Sequence, residues 1–76
     1  MSRVYMLANI TTGKERFVRD TLRGKKGVES ADIITGAYDL IAILEAKDMN
    51  DIFNKILKDI RKIKGLTRTE TFVAVE

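Results

Sequence analysis

The sequence predicts an α+β fold whose elements follow the order β-α-β-β-α-β. Three observations predict it. Helix-capping signals at Thr12 and Asp48 each precede apolar residues at helical spacing. Lys26-Gly27-Val28 and Lys64-Gly65-Leu66 each close a helix and open a strand, so the two halves of the chain repeat weakly. Two apolar, β-branched runs flank Gly36 at mid-chain, where glycine permits the positive φ of a tight turn. Right-handed crossovers then place both helices on one face of a four-stranded antiparallel sheet, the split βαβ or ferredoxin-like arrangement.

Arg3–Ile10 reads as a central strand: Val4, Met6, Ala8 and Ile10 alternate with Tyr5 and Leu7, and both sides are largely apolar. Thr12-Gly13-Lys14-Glu15 reads as a capping box, with Thr12 as N-cap and Glu15 reaching back from the third helical position. That helix runs to about Arg23 on a short stripe of Phe17, Val18, Thr21 and Leu22, and Gly24 or Gly27 ends it. Val28–Thr35 and Tyr38–Ala46 form a hairpin about Gly36, and the continuous apolar run from Leu40 to Leu44 predicts a strand buried on both faces. Asp48 caps the second helix, and Asp51 suits the positive end of its dipole. Its stripe is Ile52, Phe53, Ile56, Leu57, Ile60 and Ile63, opposite Lys55, Lys58, Asp59, Arg61 and Lys62. Gly65 ends it in the left-handed conformation, and Leu66–Val75 is the last strand, with Thr67, Thr69, Thr71, Val73 and Val75 along one face.

Two helices cover only one face of such a sheet, yet the first and third strands are apolar on both. Tyr5 and Leu7, with either Ile41 and Ile43 or Leu40, Ala42 and Leu44, would face water. Apolar patches of that size are rarely left exposed. The expectation is a two-fold dimer in which the open sheet face packs against its own copy.

Composition narrows the function. The 76 residues make a single domain, 1–76. A domain this small buries only about 60% of its unfolded surface, so self-association is a common remedy. A hydrophobic content of 45% excludes a disordered tail. No cysteine or histidine occurs, which removes disulfides, thiolate and imidazole chemistry, and the ordinary zinc, copper and haem ligands. No EF-hand spacing appears, and no cofactor is expected. The opening run, Met1–Ile10, is too short to span a membrane and no small-residue cleavage site follows it, so the expectation is a cytoplasmic protein without a membrane partner. The net charge of +3, from 14 Lys+Arg and 11 Asp+Glu, is a mild basic bias.

Four stretches are candidates for chemistry. At the hairpin, the Gly36 and Ala37 backbone can approach a small ligand, Tyr38 can wall a pocket and Asp39 can pair with an ammonium group. The plain alternative is a turn with a solvated carboxylate, which outnumbers ligand sites. In the last strand, Thr69 and Thr71 can offer hydroxyls beside Glu70, or merely blunt an edge. The basic residues of the second helix read as a solvated face. Nucleic-acid binding through the open sheet would need aromatics at the strand centres, where Tyr5 is the only candidate. For catalysis, no nucleophile–base set or phosphate loop is present, and nothing in the spacing pairs Asp39, Glu45 and Glu70.

Gly36-Ala37-Tyr38-Asp39-Leu40, then Asp48-Met49, Gly65-Leu66 and Thr69-Glu70-Thr71-Phe72-Val73, in that order and spacing, resemble the effector domain of the Lrp/AsnC regulators. That domain is called RAM, for regulation of amino-acid metabolism, and the resemblance covers the whole chain. It implies the same βαββαβ fold, dimers formed by sheet-to-sheet packing, and rings of dimers, commonly octamers, with a free amino acid bound between dimers. By this resemblance Gly36, Ala37, Tyr38 and Asp39 hold the amino-acid backbone, Thr69 and Thr71 reach in from a neighbouring dimer, and Glu70 lies nearby. Full-length members carry an N-terminal helix-turn-helix that reads DNA, whereas here the first strand starts near Arg3. The resemblance therefore implies a stand-alone, non-enzymatic effector domain that acts alone or co-assembles with full-length Lrp/AsnC regulators, with no direct nucleic-acid contact. The competing readings are a small dimeric α/β-barrel enzyme of the monooxygenase or isomerase type, an ACT-like module, and a pure scaffold.

Overall fold

Alternation along the first strand sets the plane of the sheet. In the computed structural model, which describes residues 1–75, Val4, Met6, Ala8 and Ile10 are buried while Tyr5, Leu7 and Asn9 are half-buried on the other side. The elements are β1 (Ser2–Ile10), α1 (Glu15–Arg23), β2 (Val28–Ile33), β3 (Leu40–Ala46), a second helix over residues 49–60, here α2, and β4 (Leu66–Val73). The sheet order is β2-β3-β1-β4, with every neighbouring pair antiparallel. This is the predicted ferredoxin-like βαββαβ arrangement.

One core lies between the helices and one face of the sheet. Val4, Met6, Ala8, Leu40, Ala42 and Leu44 meet Val18 and Leu22 of α1 and Ile52, Leu57 and Ile60 of α2. Each of these large side chains, fully buried, contributes about 1.5–3 kcal/mol. The register resolves which half of β3 faces outward. Val4 pairs with Leu44 and Met6 with Ala42, whereas Tyr5 pairs with Ile43 and Leu7 with Ile41. The open face therefore carries Ile41 and Ile43.

The local structure departs from expectation in four places. The first helix starts at Glu15, not within a Thr12-capped box. Gly13 takes a φ of +93° and reverses the chain, which leaves Thr12 outside the first turn. Neither bond of the predicted box forms; instead the Gly13 N–H donates to Glu15 Oε1 at 2.8 Å, and the N-cap position, Lys14, has no side-chain cap. In α1, Val18 and Leu22 are buried but Phe17 is 56% exposed, so the stripe is narrower than the sequence reading.

The predicted tight turn at Gly36 is a longer loop, because β2 ends at Ile33 and β3 begins at Leu40. The Asp39 N–H leaves its hairpin partner and donates to Ala8 O at 2.9 Å, while Ile34 N–H donates to Asp39 O at 2.9 Å. The Asp39 carboxylate accepts the Ile10 N–H at 2.8 Å, 29 residues back in the chain. These bonds draw the strand end toward β1 and open the turn.

Third, α2 is not uniform. Met49–Asp51 and Leu57–Ile60 are α-helical, and Ile52–Ile56 between them is a π-helix. Ile52 and Leu57, five apart, would point well away from each other on a regular α-helix. The wider turn, with Leu57 N–H donating to Ile52 O, lets both be fully buried. Fourth, the helix stops at Ile60, and Gly65, at φ +107°, opens β4 instead of capping the helix directly.

Asp48 behaves as expected. Its side chain accepts the Asp51 N–H at 2.9 Å. Asp48→Ala is expected to lower stability by about 1 kcal/mol, read as an earlier thermal melt, with Asp48→Asn close to wild type.

Candidate functional site

The loop at residues 34–39 is held at its two ends and free between them. Ile34 and Asp39 make its closing backbone bond, and Asp39 bonds β1 through both N–H and carboxylate. Gly36 takes a φ of +129°, and a Cβ built there would have no heavy atom within 4 Å. The glycine is thus required by the backbone, and the space beside it is open to a ligand. Thr35, Gly36 and Ala37 are exposed, and Tyr38 and Asp39 are half-buried.

Asp39 is therefore not the simple solvated carboxylate that the sequence allowed. One of its oxygens serves the fold, by supplying the acceptor that the β1–β3 ladder stops offering at Ala8↔Leu40.

The other predicted residues sit on β4, an edge strand beside β1. Thr69 pairs with Ala8, and Thr71 with Met6, so both lie on the helix side of the sheet. Glu70 pairs with Leu7 and lies on the open face. The row Leu40–Ala8–Thr69 places Thr69 two strands, about 10 Å, from the start of β3. Thr71 is a further step along β4, away from the loop. A single chain does not gather Gly36–Asp39 and Thr69–Thr71 into one pocket.

The open face is the second feature of the site. Tyr5 is flanked by Ile43 and Phe72, and Leu7 by Ile41 and Glu70. Phe72, 48% exposed, was missed as a second aromatic of this face, although placing Thr69 and Thr71 on one side of β4 already sends it to the other. Arg3 pairs with Glu45 at the end of this face. Hydrogen bonding to Tyr5, and then to Glu45, raises the Arg3 guanidinium above its ordinary value, so Arg3 stays cationic at every working pH.

Among the described residues no group of three or more Asp or Glu side chains converges as a cation site. Among the described residues no helix is long and apolar enough to cross a membrane. A concavity of about 560 Å³ lies between the loop before β2, the end of β3 and α2, and includes Lys26, Glu45, Lys47 and Lys55. It lies away from the 34–39 loop.

Comparison with known proteins identifies the fold family. The Lrp/AsnC ligand binding domain matches residues 6–76. The crystal structure of the hypothetical protein PHS023 from Pyrococcus horikoshii is 32% identical, with a TM-score of 0.92 over 100% of this chain and 92% of that one. The transcriptional regulator NMB0573 from Neisseria meningitidis, solved as an L-Met complex, shares the fold at 17% identity, with a TM-score of 0.81 over 99% of this chain and 50% of that one. A homocitrate synthase from Sulfurisphaera tokodaii is 38% identical over 50 residues, which is 66% of this chain but only 11% of that enzyme. With the family domain matched over nearly its whole length, the chain belongs to the Lrp/AsnC family and corresponds to its ligand-binding domain.

Proposed function

We propose that this chain is a non-enzymatic regulatory domain that binds a small amino acid at the 34–39 loop, between dimers built through the open sheet face. The observation that carries the reading is the loop itself: a glycine in open space, exposed backbone at Gly36 and Ala37, and a carboxylate fixed at its base. The exposed N–H and C=O groups suit the carboxylate and ammonium ends of an amino acid. The Asp39 oxygen not used by Ile10 suits the ammonium. Thr69 and Thr71 on the edge strand, with Glu70 beside them, reach the ligand from a neighbouring dimer. The L-Met complex of the Neisseria regulator supports the ligand class.

The mechanism is linkage. A ligand seated between dimers binds one assembly state better and shifts the population toward it, by no more than its differential affinity. The assembled form, an octameric ring in the fullest version of this reading, then acts on its own or on full-length Lrp/AsnC relatives in the cytoplasm.

Calorimetric titration with each of the twenty amino acids tests the site. Wild type is expected to bind at least one at millimolar concentration or below. Asp39→Asn keeps an acceptor for the Ile10 N–H and removes the charge, so it should melt near wild type and lose about tenfold or more in affinity. Asp39→Ala should lose the affinity and also about 1–3 kcal/mol of stability, because the Ile10 N–H is orphaned. Unchanged affinity in Asp39→Asn would remove Asp39 from the site.

A further inference from the structure

Charge is sorted between the two layers of this fold. Residues 11–27 and 47–65, which hold the helices and their flanking turns, contain twelve of the 14 Lys+Arg but only five of the 11 Asp+Glu. The sheet and its hairpin loop are net acidic. Arg19, Arg23, Lys25 and Lys55 are spent in ion pairs with Asp20, Asp32, Asp59 and Asp51. Among the described residues Lys14, Arg16, Lys26, Lys47, Lys58, Arg61, Lys62 and Lys64 have no such partner.

Two of these, Lys62 and Lys64, line a cleft. Between α1 and the end of α2 lies a cleft of about 290 Å³ lined by Phe17, Thr21, Lys25, Asp59, Lys62, Ile63 and Lys64. Its one carboxylate, Asp59, is neutralised by Lys25 at 2.9 Å. Lys14 lies near its Lys64 end: a Cβ at Gly65 would stand 3.2 Å from Lys14 Cβ, and Thr11 N–H donates to Gly65 O at 2.8 Å. At the cleft wall Phe17 is over half exposed, although the next residue, Val18, is fully buried. An aromatic left in water beside free lysines has no role in the core.

We propose that this inter-helix cleft is a docking site for single-stranded nucleic acid, with a base stacked on Phe17 and the neighbouring phosphates held by Lys14, Lys62 and Lys64. An aromatic platform flanked by cations that track a phosphate backbone is the recurring equipment for that ligand. The open sheet face, which also carries two aromatics, has no such excess of cations: Glu45, Glu70 and Asp32 share it with Arg3 and Arg68. The sequence reading treated the basic residues of α2 alone as a solvated face. The fold adds Lys14 and Phe17 of the first helical segment to the same surface. The site is separate from the 34–39 loop and does not depend on amino-acid binding.

Fluorescence anisotropy of a labelled oligonucleotide of about 15 nucleotides tests this with the whole chain, using single-stranded DNA and RNA and the matching duplex. Three phosphate contacts predict about a twentyfold loss of single-strand affinity between about 50 and about 200 mM salt. Lys62→Glu/Lys64→Glu should lose at least about tenfold and flatten that salt dependence. Phe17→Ala should lose about fivefold or more with the salt dependence intact, and circular dichroism should show it folded, since its side chain lies outside the core. Absence of binding at the lowest salt would overturn the proposal, as would wild-type affinity in either variant. Duplex bound as tightly as single strand, or capture only by vesicles containing phosphatidylserine, would equally overturn it.

Discussion

Gly27→Ala is expected to destabilise the domain by about 2–5 kcal/mol, enough to unfold much of it near its working temperature. Two independent costs add. Gly27 takes a φ of +90°, where an L side chain costs about 1–2 kcal/mol. A Cβ there would also collide with the Ile56 side chain, standing 2.8 Å from its Cγ1. Ile56 is packed against the core, which limits how far its side chain can turn aside. Overpacking of this kind costs about 1–3 kcal/mol. A chain of 76 residues has a total stability of only about 4–11 kcal/mol. Gly36→Ala is the matched control: its φ is also positive, but nothing lies within 4 Å of the new Cβ, so it should lose only the backbone cost of about 1–2 kcal/mol. Thermal and denaturant melts of the two variants read the difference directly. Equal losses would mean that the Gly27–Ile56 approach is relaxed at little cost.

On the proposed dimer through the open sheet face, Ile43→Lys is expected to leave only monomers. Ile43 lies on the open sheet face, opposite Tyr5 and away from the core side chains, so the substitution spares the fold of one subunit. In a two-fold interface every substitution appears twice. Burying two unpaired ammonium groups against Tyr5, Leu7 and Phe72 costs several kcal/mol, more than a small interface has in surplus. Sedimentation velocity should report a single-subunit mass, with far-UV circular dichroism retained. The melt should also fall and lose its dependence on protein concentration, because self-association stabilises the folded subunit by mass action. An unchanged assembly mass would place the subunit contact elsewhere, for example on the β4 edge.

Much of the fold was legible because its signals are local. Gly27 and Gly65 mark the two helix-to-strand passages, Asp48 caps the second helix, and alternation along β1 orients that strand, while the facing of β3 needed its register with β1. What was misread depends on contacts distant in sequence or on short elements. The hairpin looked tight because the bond that opens it joins Asp39 to Ile10. Phe17 looked like core because a helix of only nine residues offers too few turns to separate a stripe from its border. The π-turn was hidden because Ile52, Phe53, Ile56 and Leu57 suit an ordinary amphipathic helix equally well. Of the candidate site, Gly36 announced the exposed loop. Asp39's structural duty did not show, whereas the separation of Glu70 from Thr69 and Thr71 follows from the face already given to the threonines.

The central claim is that amino-acid binding at the loop and assembly through the sheet are coupled. Light scattering of the chain at fixed concentration, with and without each amino acid at millimolar level, tests it most directly. The account predicts a mass above one subunit without ligand, a further shift with at least one amino acid, and loss of that shift in Asp39→Asn. A mass of one subunit throughout, or an assembly indifferent to all twenty amino acids, would contradict it.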